Sequence, residues 1–514
     1  MSLLYTPDQP DPRQTSWLLS RPRPLLYGVA LICAALLTGV LADYAPRDAI
    51  ALVAGSAVVV AVLASPLFGA CLLVGFAPAT SGLVSGFPVP DLRLSEAVIG
   101  IVGMTLIVTA RRRDAVAWKP LDWVLLAYGL GWAICGLLAD LALNQHLTIS
   151  EWGTVLGQLQ FLLVYRGVRT AVRTPREREI ALNTCALATI PVALLAIGQE
   201  LNLPMVRSLL VTATGGVSSV GGHLAVAGSS AANGGQGASS SLRATGPFAN
   251  WAALAGYLFP VLLMMVAAAL NDYRPRHRKL FYLTAALAAL ALLMTEEQSV
   301  VICLIIGTVV LVRRSPHAAR LGRWIAFGGV VVVAAASPLI VGRIINETAS
   351  TAGTGRISWI PETIQYRWMI WSGQYFPAIA HRPLSGYGDV YPNSIRWSAP
   401  ESEYMACLME GGIPMLSLFI GLGLTMFAAA RAGASSVQQD RLGRPLCQAM
   451  MIATISMMAV SMIWPFLGNG GMPQILWALM ALAIPREPGG KSIRSSAAIF
   501  RAAPAPARAS GALA

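Results

Sequence analysis

The chain has 514 residues, of which 55% are hydrophobic and only 12% are charged. That charged share is about half of what a soluble globular protein carries, so the composition excludes an ordinary soluble domain. A net charge of +13 would suggest nucleic-acid binding in a soluble protein. Here most basic residues occupy short stretches between apolar segments, which is typical of the cytoplasmic loops of membrane proteins.

Apolar segments close to the length that crosses a bilayer recur along the chain. Backbone groups cannot stay unpaired in lipid, and the segments lack the alternating polarity of barrel strands. We therefore expect an all-α polytopic membrane protein with about 12–14 transmembrane helices. The predicted spans are 25–43, 48–65, 67–86, 93–110, 121–143, 152–168, 179–199, 248–270, 279–294, 299–312, 323–342, 411–430, 446–466 and 472–485.

The clusters of arginine and lysine follow every second span, which predicts that both termini are cytoplasmic. One cluster, which includes Arg166 and Arg169, is expected to form the basic loop after the sixth span. The predicted organisation is a cytoplasmic N-terminal segment (1–24), N-terminal transmembrane helices (25–199), a flexible extracytoplasmic Gly/Ser-rich loop (200–247), central transmembrane helices (248–342), a large extracytoplasmic catalytic loop (343–410), C-terminal transmembrane helices (411–485) and a disordered cytoplasmic tail (486–514).

Arginines in the two outer loops run against this charge bias, and three of them are candidates for a binding site: Arg243, Arg356 and Arg367. A guanidinium is permanently charged, and its planar fork matches phosphate oxygens, so several arginines at a membrane surface can hold a diphosphate. Contact with lipid headgroups, or a local ion pair with Glu362 or Asp389, is the alternative explanation.

Carboxylates precede the span at 411–430, where Glu401 and Glu403 are candidates for a general base acting on a sugar hydroxyl. Acidic residues are also favoured at the start of a helix, and taken alone these carboxylates are better explained as a solvated helix terminus. The tryptophans and tyrosines of the large loop could stack on sugar rings or anchor the loop at the membrane boundary.

The order and sidedness of short motifs in residues 120–485 resemble the O-antigen ligase and O-antigen polymerase superfamily of bacterial membrane glycan-assembly enzymes. The first motif contains Arg243, Gly246, Phe248 and Asn250, and the second is Arg-x-x-x-Trp from Arg367 to Trp371. The remaining matches are Pro383, Leu384, Gly386 and Gly388, followed by Glu401, Tyr404, Met405, Leu408, Glu410 and Gly412. Two positions depart from the pattern, because Gln298 replaces the arginine of a Thr-x-Ser-Arg motif and Glu401 stands where lipopolysaccharide ligases have a histidine.

The resemblance implies a glycosyltransferase of GT-C architecture in the bacterial cytoplasmic (inner) membrane, with its active site facing outward. Its donor would be a polyprenyl-diphosphate-linked oligosaccharide, its acceptor a glycan, lipid or protein, and its inverting reaction would use no metal or other cofactor. Other polysaccharide-assembly proteins are possible partners. Arg243, Arg356 and Arg367 would hold the donor diphosphate, with Arg367, Glu401 and Glu403 catalytic. The departure at Glu401 favours a polymerase, or a ligase acting on another acceptor, over a lipopolysaccharide ligase.

Two other classes of function stay open. One is a transporter or flippase for a lipid-linked or small anionic substrate, which should place ionisable residues near the middle of the membrane. The predicted spans contain few such residues, among them Glu96 and Asp140, each near a span end. The other class is a non-catalytic scaffold of an envelope assembly.

Overall fold

The computed structural model describes residues 46–83, 93–113, 116–143, 156–213, 243–248, 250–271, 274–314, 362–388, 395, 400–436, 441–468 and 471–484. Throughout these ranges the regular secondary structure is helical, which confirms the predicted all-α class. The chain divides into two compact units, one ending at Ala61 and one beginning at Val62. All side-chain contacts described below belong to the second unit.

The described helices are α1 (Pro46–Ala64), α2 (Pro66–Ala79), α3 (Leu94–Arg113), α4 (Pro120–Leu143), α5 (Leu159–Ala171), α6 (Pro175–Glu200), α7 (Pro204–Ala213), α8 (Trp251–Asn271), α9 (Pro275–Leu293), α10 (Gln298–Arg314), α11 (Glu362–Ile370, continued through a π-helical Trp371–Tyr375 into Phe376–His381), α12 (Glu403–Ser435), α13 (Gly443–Val460) and α14 (Met472–Ala483). Proline occupies the first position of many of them, where its missing N–H costs nothing.

Four of the described helices are long and apolar enough to cross a membrane: Pro120–Leu138 within α4, and the whole of α6, α8 and α12. They support the expectation of a helical membrane protein. Shorter apolar helices include Pro66–Ala79 and Met472–Ala483. The predicted spans 25–43 and 323–342 lie outside the described residues, as do the segments 1–24 and 486–514.

Burial separates the central spanning helix from the peripheral ones. The apolar window of α8 is 94% buried inside the protein, whereas those of α4 and α12 are only 33% buried. Small residues allow neighbouring helices to approach α8, and the space at Gly256 is taken by Phe466 and Met472. The peripheral helices leave apolar side chains exposed, as a surrounding bilayer requires.

The sequence-based prediction of a basic loop at Arg166 and Arg169 is wrong, because both residues lie within α5 and are buried. Asp122, at the start of α4, accepts hydrogen bonds from Arg166 Nη1 at 3.3 Å and from Arg169 Nη1 at 2.9 Å. Arg166 also donates to the Val116 carbonyl at 2.9 Å and lies over the ring of Trp118. A carboxylate distant in sequence therefore draws these arginines into the protein.

Three helices also extend into regions predicted as loops. Helix α7 occupies part of the predicted flexible segment 200–247, whose residues 214–242 lie outside the described ranges. Helix α11 forms part of the predicted loop 343–410, and α12 begins at Glu403 rather than at 411. Helix α12 begins earlier than predicted because a helical segment of mixed polarity precedes the apolar span. Non-helical backbone at Gly412 connects the two parts.

Candidate functional site

Arg367 and Glu401 form an ion pair at the start of α12. Arg367 Nε lies 2.8 Å from Glu401 Oε2, and the two side chains are 16% and 20% exposed, so solvent reaches both. Trp371, one helical turn after Arg367, donates from Nε1 to the Pro400 carbonyl at 3.1 Å. The Arg-x-x-x-Trp motif therefore holds the Pro400–Glu401 segment against α11.

The backbone of Glu401 is in the left-handed region, with φ +50°, which is uncommon for a residue other than glycine. The next two residues are fixed by the Ser461 carbonyl, which accepts from Ser402 Oγ at 3.2 Å and from the Glu403 amide at 2.9 Å. Such backbone strain persists only where the surroundings impose it, and it is concentrated at functional sites.

Two phenols face Glu401 and stay protonated. Burial raises the pKa of Tyr375 above its ordinary value, and the negative charge of Glu401 raises that pKa further. The pKa of Tyr366 is raised by the same two causes, in the same order. Among the described residues, the carboxylate of Glu401 thus lies near the cation of Arg367 and near two neutral phenols.

Glu403 has a different environment, because its side chain points into the protein and the residue is only 3% exposed. Its Oε2 accepts the Leu467 amide at 3.0 Å, and its Oε1 lies 3.4 Å from the Tyr128 hydroxyl. These contacts anchor the segment 461–468 to α12 and α4. Of the two predicted carboxylates, Glu401 is the one that solvent and a substrate can reach.

The predicted glycine motif forms a turn that docks on the break in α12. The amides of Tyr387 and Gly388 donate to the carbonyls of Met409 and Glu410, at 2.7 and 2.9 Å. Gly388 has φ +65°, which a side chain would disfavour. The turn therefore satisfies helix carbonyls that the break in α12 leaves without intrahelical partners.

Glycines on both sides allow this close approach. A Cβ on Gly386 (φ +61°) would lie 2.5 Å from the Glu410 carbonyl carbon, and one on Gly412 (φ +66°) would lie 2.5 Å from the Pro383 carbonyl oxygen. The Ile413 amide donates to that oxygen at 2.7 Å. The glycine turn at Pro383–Gly388 and the segment Met409–Ile413 of α12 are separate in sequence but pack directly against each other.

Tyr404, at the same end of α12, packs against neighbouring residues of α12 and α13. Its ring meets Phe419 edge to face at 5.1 Å, and its hydroxyl donates to the Met458 carbonyl at 3.1 Å. This residue joins α12 to α13 next to the Arg367–Glu401 pair.

Arg243 lies in the segment that precedes α8. Its guanidinium lies over the ring of Trp251, 4.8 Å from the centroid, and its Nε is 3.4 Å from Glu296 Oε2. Glu296 follows α9 and also has a left-handed backbone, with φ +54°. Like Arg367, Arg243 is thus a partly buried cation that is paired with a carboxylate.

The other residues of the first motif shape the segment that leads from Arg243 into α8. The Gly246 amide, at φ +53°, donates to Gln199 Oε1 at 2.8 Å. Phe248 is fully buried against Tyr257, with ring centroids 5.1 Å apart. Asn250 Oδ1 accepts the Ala253 amide at 2.8 Å and caps the helix.

Each of the two arginines is linked to the segment 461–468 through intermediate residues. On one side, the ring of Trp464 lies 6.4 Å from that of Trp251, over which Arg243 is placed. On the other, Ser461 fixes the backbone next to Glu401, the partner of Arg367. Sequence reasoning predicted the arginines but missed this segment, because no motif marks it. Arg356, the third predicted arginine, lies outside the described residues.

Sequence reasoning also missed Glu296 as the partner of Arg243. Glu296 lies in Thr295–Ser299, the stretch that departs from the family pattern, and this departure was the one sequence feature that pointed to it. A comparison with models of protein families found no match, and neither did a comparison with curated protein sequences.

Proposed function

We propose that this chain is a membrane glycosyltransferase that polymerises, or transfers to another acceptor, oligosaccharides carried on a polyprenyl diphosphate. The observation that carries the proposal is the solvent-accessible pair of Arg367 and Glu401, in which a permanent cation and a carboxylate meet at the end of a spanning helix. We place the reaction on the outer face of a bacterial inner membrane, in a GT-C architecture of about 12–14 spans.

In the reaction, the acceptor hydroxyl oxygen attacks the anomeric carbon of the donor sugar. A new carbon–oxygen bond forms, the bond from the anomeric carbon to the diphosphate oxygen breaks, and its electron pair leaves on the polyprenyl diphosphate. Glu401 takes the hydroxyl proton. Arg367 stabilises the growing negative charge of the leaving group, and a fixed cation aimed at developing charge is typically the largest catalytic contribution.

Arg243 supplies the second cation of the donor site. Its guanidinium is held in one orientation by the ring of Trp251 and by Glu296. Because Trp251 and the Ser402–Glu403 backbone both contact the segment 461–468, the two arginines share one support. Glu403, buried and bonded to that segment, positions the site in this scheme and does not act as the base.

Substitution at Arg367 tests the proposal. The purified protein, in vesicles with a lipid-linked oligosaccharide, is assayed for new glycosidic bonds. Arg367→Ala and Arg243→Ala should each abolish product while the protein still inserts, and Arg367→Lys should restore little, because a single ammonium lacks the bidentate fork. The matched control is Arg314→Ala, an exposed arginine at the end of α10 that belongs to none of the motifs. Product at near-normal levels from either alanine variant would refute the mechanism, and movement of unaltered substrate across the bilayer would indicate a transporter instead.

Glu401→Gln separates the roles of the pair. Glutamine keeps the size of the side chain but cannot accept the proton, so kcat should fall by roughly 10²–10⁴-fold, the usual contribution of general base catalysis. The KM for the donor should not rise, because a competing negative charge beside Arg367 has been removed. Unchanged kcat would show that the base is elsewhere.

A further inference from the structure

Helix α11 exposes a face without Lys, Arg, Asp or Glu. None of these four residue types occupies an exposed position between 364 and 385, and His381, at the C-terminal end of the helix, is the ionisable residue exposed there. Water-facing surfaces of small soluble domains carry such residues at roughly one position in three or four. The face therefore does not resemble a surface that faces water.

Large apolar side chains dominate this face. Trp368 is 62% exposed and meets Phe376 edge to face at 6.1 Å, and Ile364 and Met369 are exposed beside them. Contiguous apolar patches of this kind mark contact with a membrane or another protein. A tryptophan at its centre favours the membrane interface, where the amphipathic indole ring is enriched.

The apolar face continues directly into the exposed side of the spanning helix α12. Leu384, 69% exposed, belongs to the turn whose Pro383 carbonyl accepts the Ile413 amide at 2.7 Å. From Ile413 an exposed stripe follows the helical repeat through Ile420 and Leu424. Because α12 is long and apolar enough to cross a membrane and this stripe faces outward, lipid is its expected neighbour.

We propose that α11 lies in the bilayer interface on the side where α12 begins, with Trp368 and its apolar neighbours in contact with lipid. The opposite face of α11 packs on protein through Ile370, Tyr375 and Ala378, so the helix is held between the protein and the membrane. Arg367, next to Trp368, is thereby placed at the depth of lipid headgroups. The proposal does not depend on the reaction assigned above.

Accessibility of a spin label to quenchers tests the proposal in the full chain. The seven native cysteines are replaced by alanine, and a nitroxide is attached at Trp368→Cys in vesicles of phosphatidylethanolamine and phosphatidylglycerol. Leu424→Cys provides the lipid reference and Arg176→Cys the water reference. At 368 we expect frequent collisions with oxygen and few with a water-soluble nickel chelate, as at 424.

Two results would overturn the proposal. Frequent collisions with the nickel chelate, as at 176, would place the face in water. Infrequent collisions with both reagents would show that protein covers it, either another part of this chain or a second copy.

If the cysteine-free chain fails to fold, hydroxyl-radical labelling of the unmodified protein in the same vesicles gives a second measurement. Trp368 should then react as slowly as the fully buried Trp477, despite its exposure. Labelling of Trp368 several-fold faster than Trp477 would contradict contact with lipid.

Discussion

Replacement of Gly412 by alanine should destabilise the protein where the glycine turn meets α12. Gly412 has φ +66° and ψ −161°, a region that residues with a Cβ essentially do not occupy. The new methyl group would lie 2.5 Å from the Pro383 carbonyl oxygen and 2.7 Å from the Leu384 carbonyl carbon, well inside contact distance. Both obstacles are backbone atoms, so a change of side-chain rotamer cannot relieve them.

The magnitude follows from two contributions. An unfavourable backbone conformation costs about 1–3 kcal/mol. Displacement of the turn also removes the hydrogen bond from the Ile413 amide to Pro383, which contributes about 1 kcal/mol. We therefore expect Gly412→Ala to lower the free energy of unfolding by about 2–4 kcal/mol.

Gly421→Ala is the matched control in the same helix. A Cβ at Gly421 would meet no atom within 4 Å, and its φ is not positive. Alanine there should stabilise the helix by roughly 0.5–1 kcal/mol. Thermal unfolding of the two variants in the same detergent gives the comparison, and equal stability of Gly412→Ala and Gly421→Ala would refute the reasoning.

Three further predictions concern buried polar groups. Asp122→Asn leaves two buried arginines without their carboxylate and should lower the free energy of unfolding by about 3–5 kcal/mol. Glu179→Gln breaks the more exposed pair with Arg274 and should lower it by at most about 1 kcal/mol in the same measurement. Glu403→Ala leaves a buried backbone amide unbonded and should cost about 1–3 kcal/mol, and Glu403→Gln, which retains an acceptor, should recover most of that loss. The pKa of Tyr375 is raised in the folded protein, so above pH 10 this phenol ionises more readily in the unfolded chain and the protein loses stability. Tyr375→Phe removes the ionisable group and should therefore reduce that loss, as measured by unfolding at increasing pH.

The sequence predicts the helices well and their ends less well. An apolar run is a property of neighbouring residues, so α6 and α8 could be placed within a few positions. The start of α12 was missed because the residues from Glu403 to Gly412 are mixed in polarity, and because the helix continues across a break. Hydropathy cannot detect a helical segment whose carbonyls are satisfied by a turn from elsewhere in the chain.

The candidate site could be predicted as a set of residue types but not as a geometry. Arg166 was expected in solvent because its partner, Asp122, is 44 residues away and nothing local indicates the pairing. Glu401 and Glu403 looked equivalent, yet residues two apart at a helix start point in different directions, and one of them is buried. The partners of the arginines, Glu296 for Arg243 and Glu401 for Arg367, are likewise tertiary contacts.

These ion pairs are compatible with a site for a diphosphate. A pair that solvent reaches contributes only about 0–1 kcal/mol, because water competes for both charges. A diphosphate carries more negative charge than one carboxylate and matches the guanidinium fork, so under the proposed function its binding would displace Glu401 from Arg367 at little cost. The same exchange would free the Glu401 carboxylate to accept a proton when Arg367 becomes occupied. In this scheme the resting ion pair keeps the base and the cation in position, and donor binding activates both.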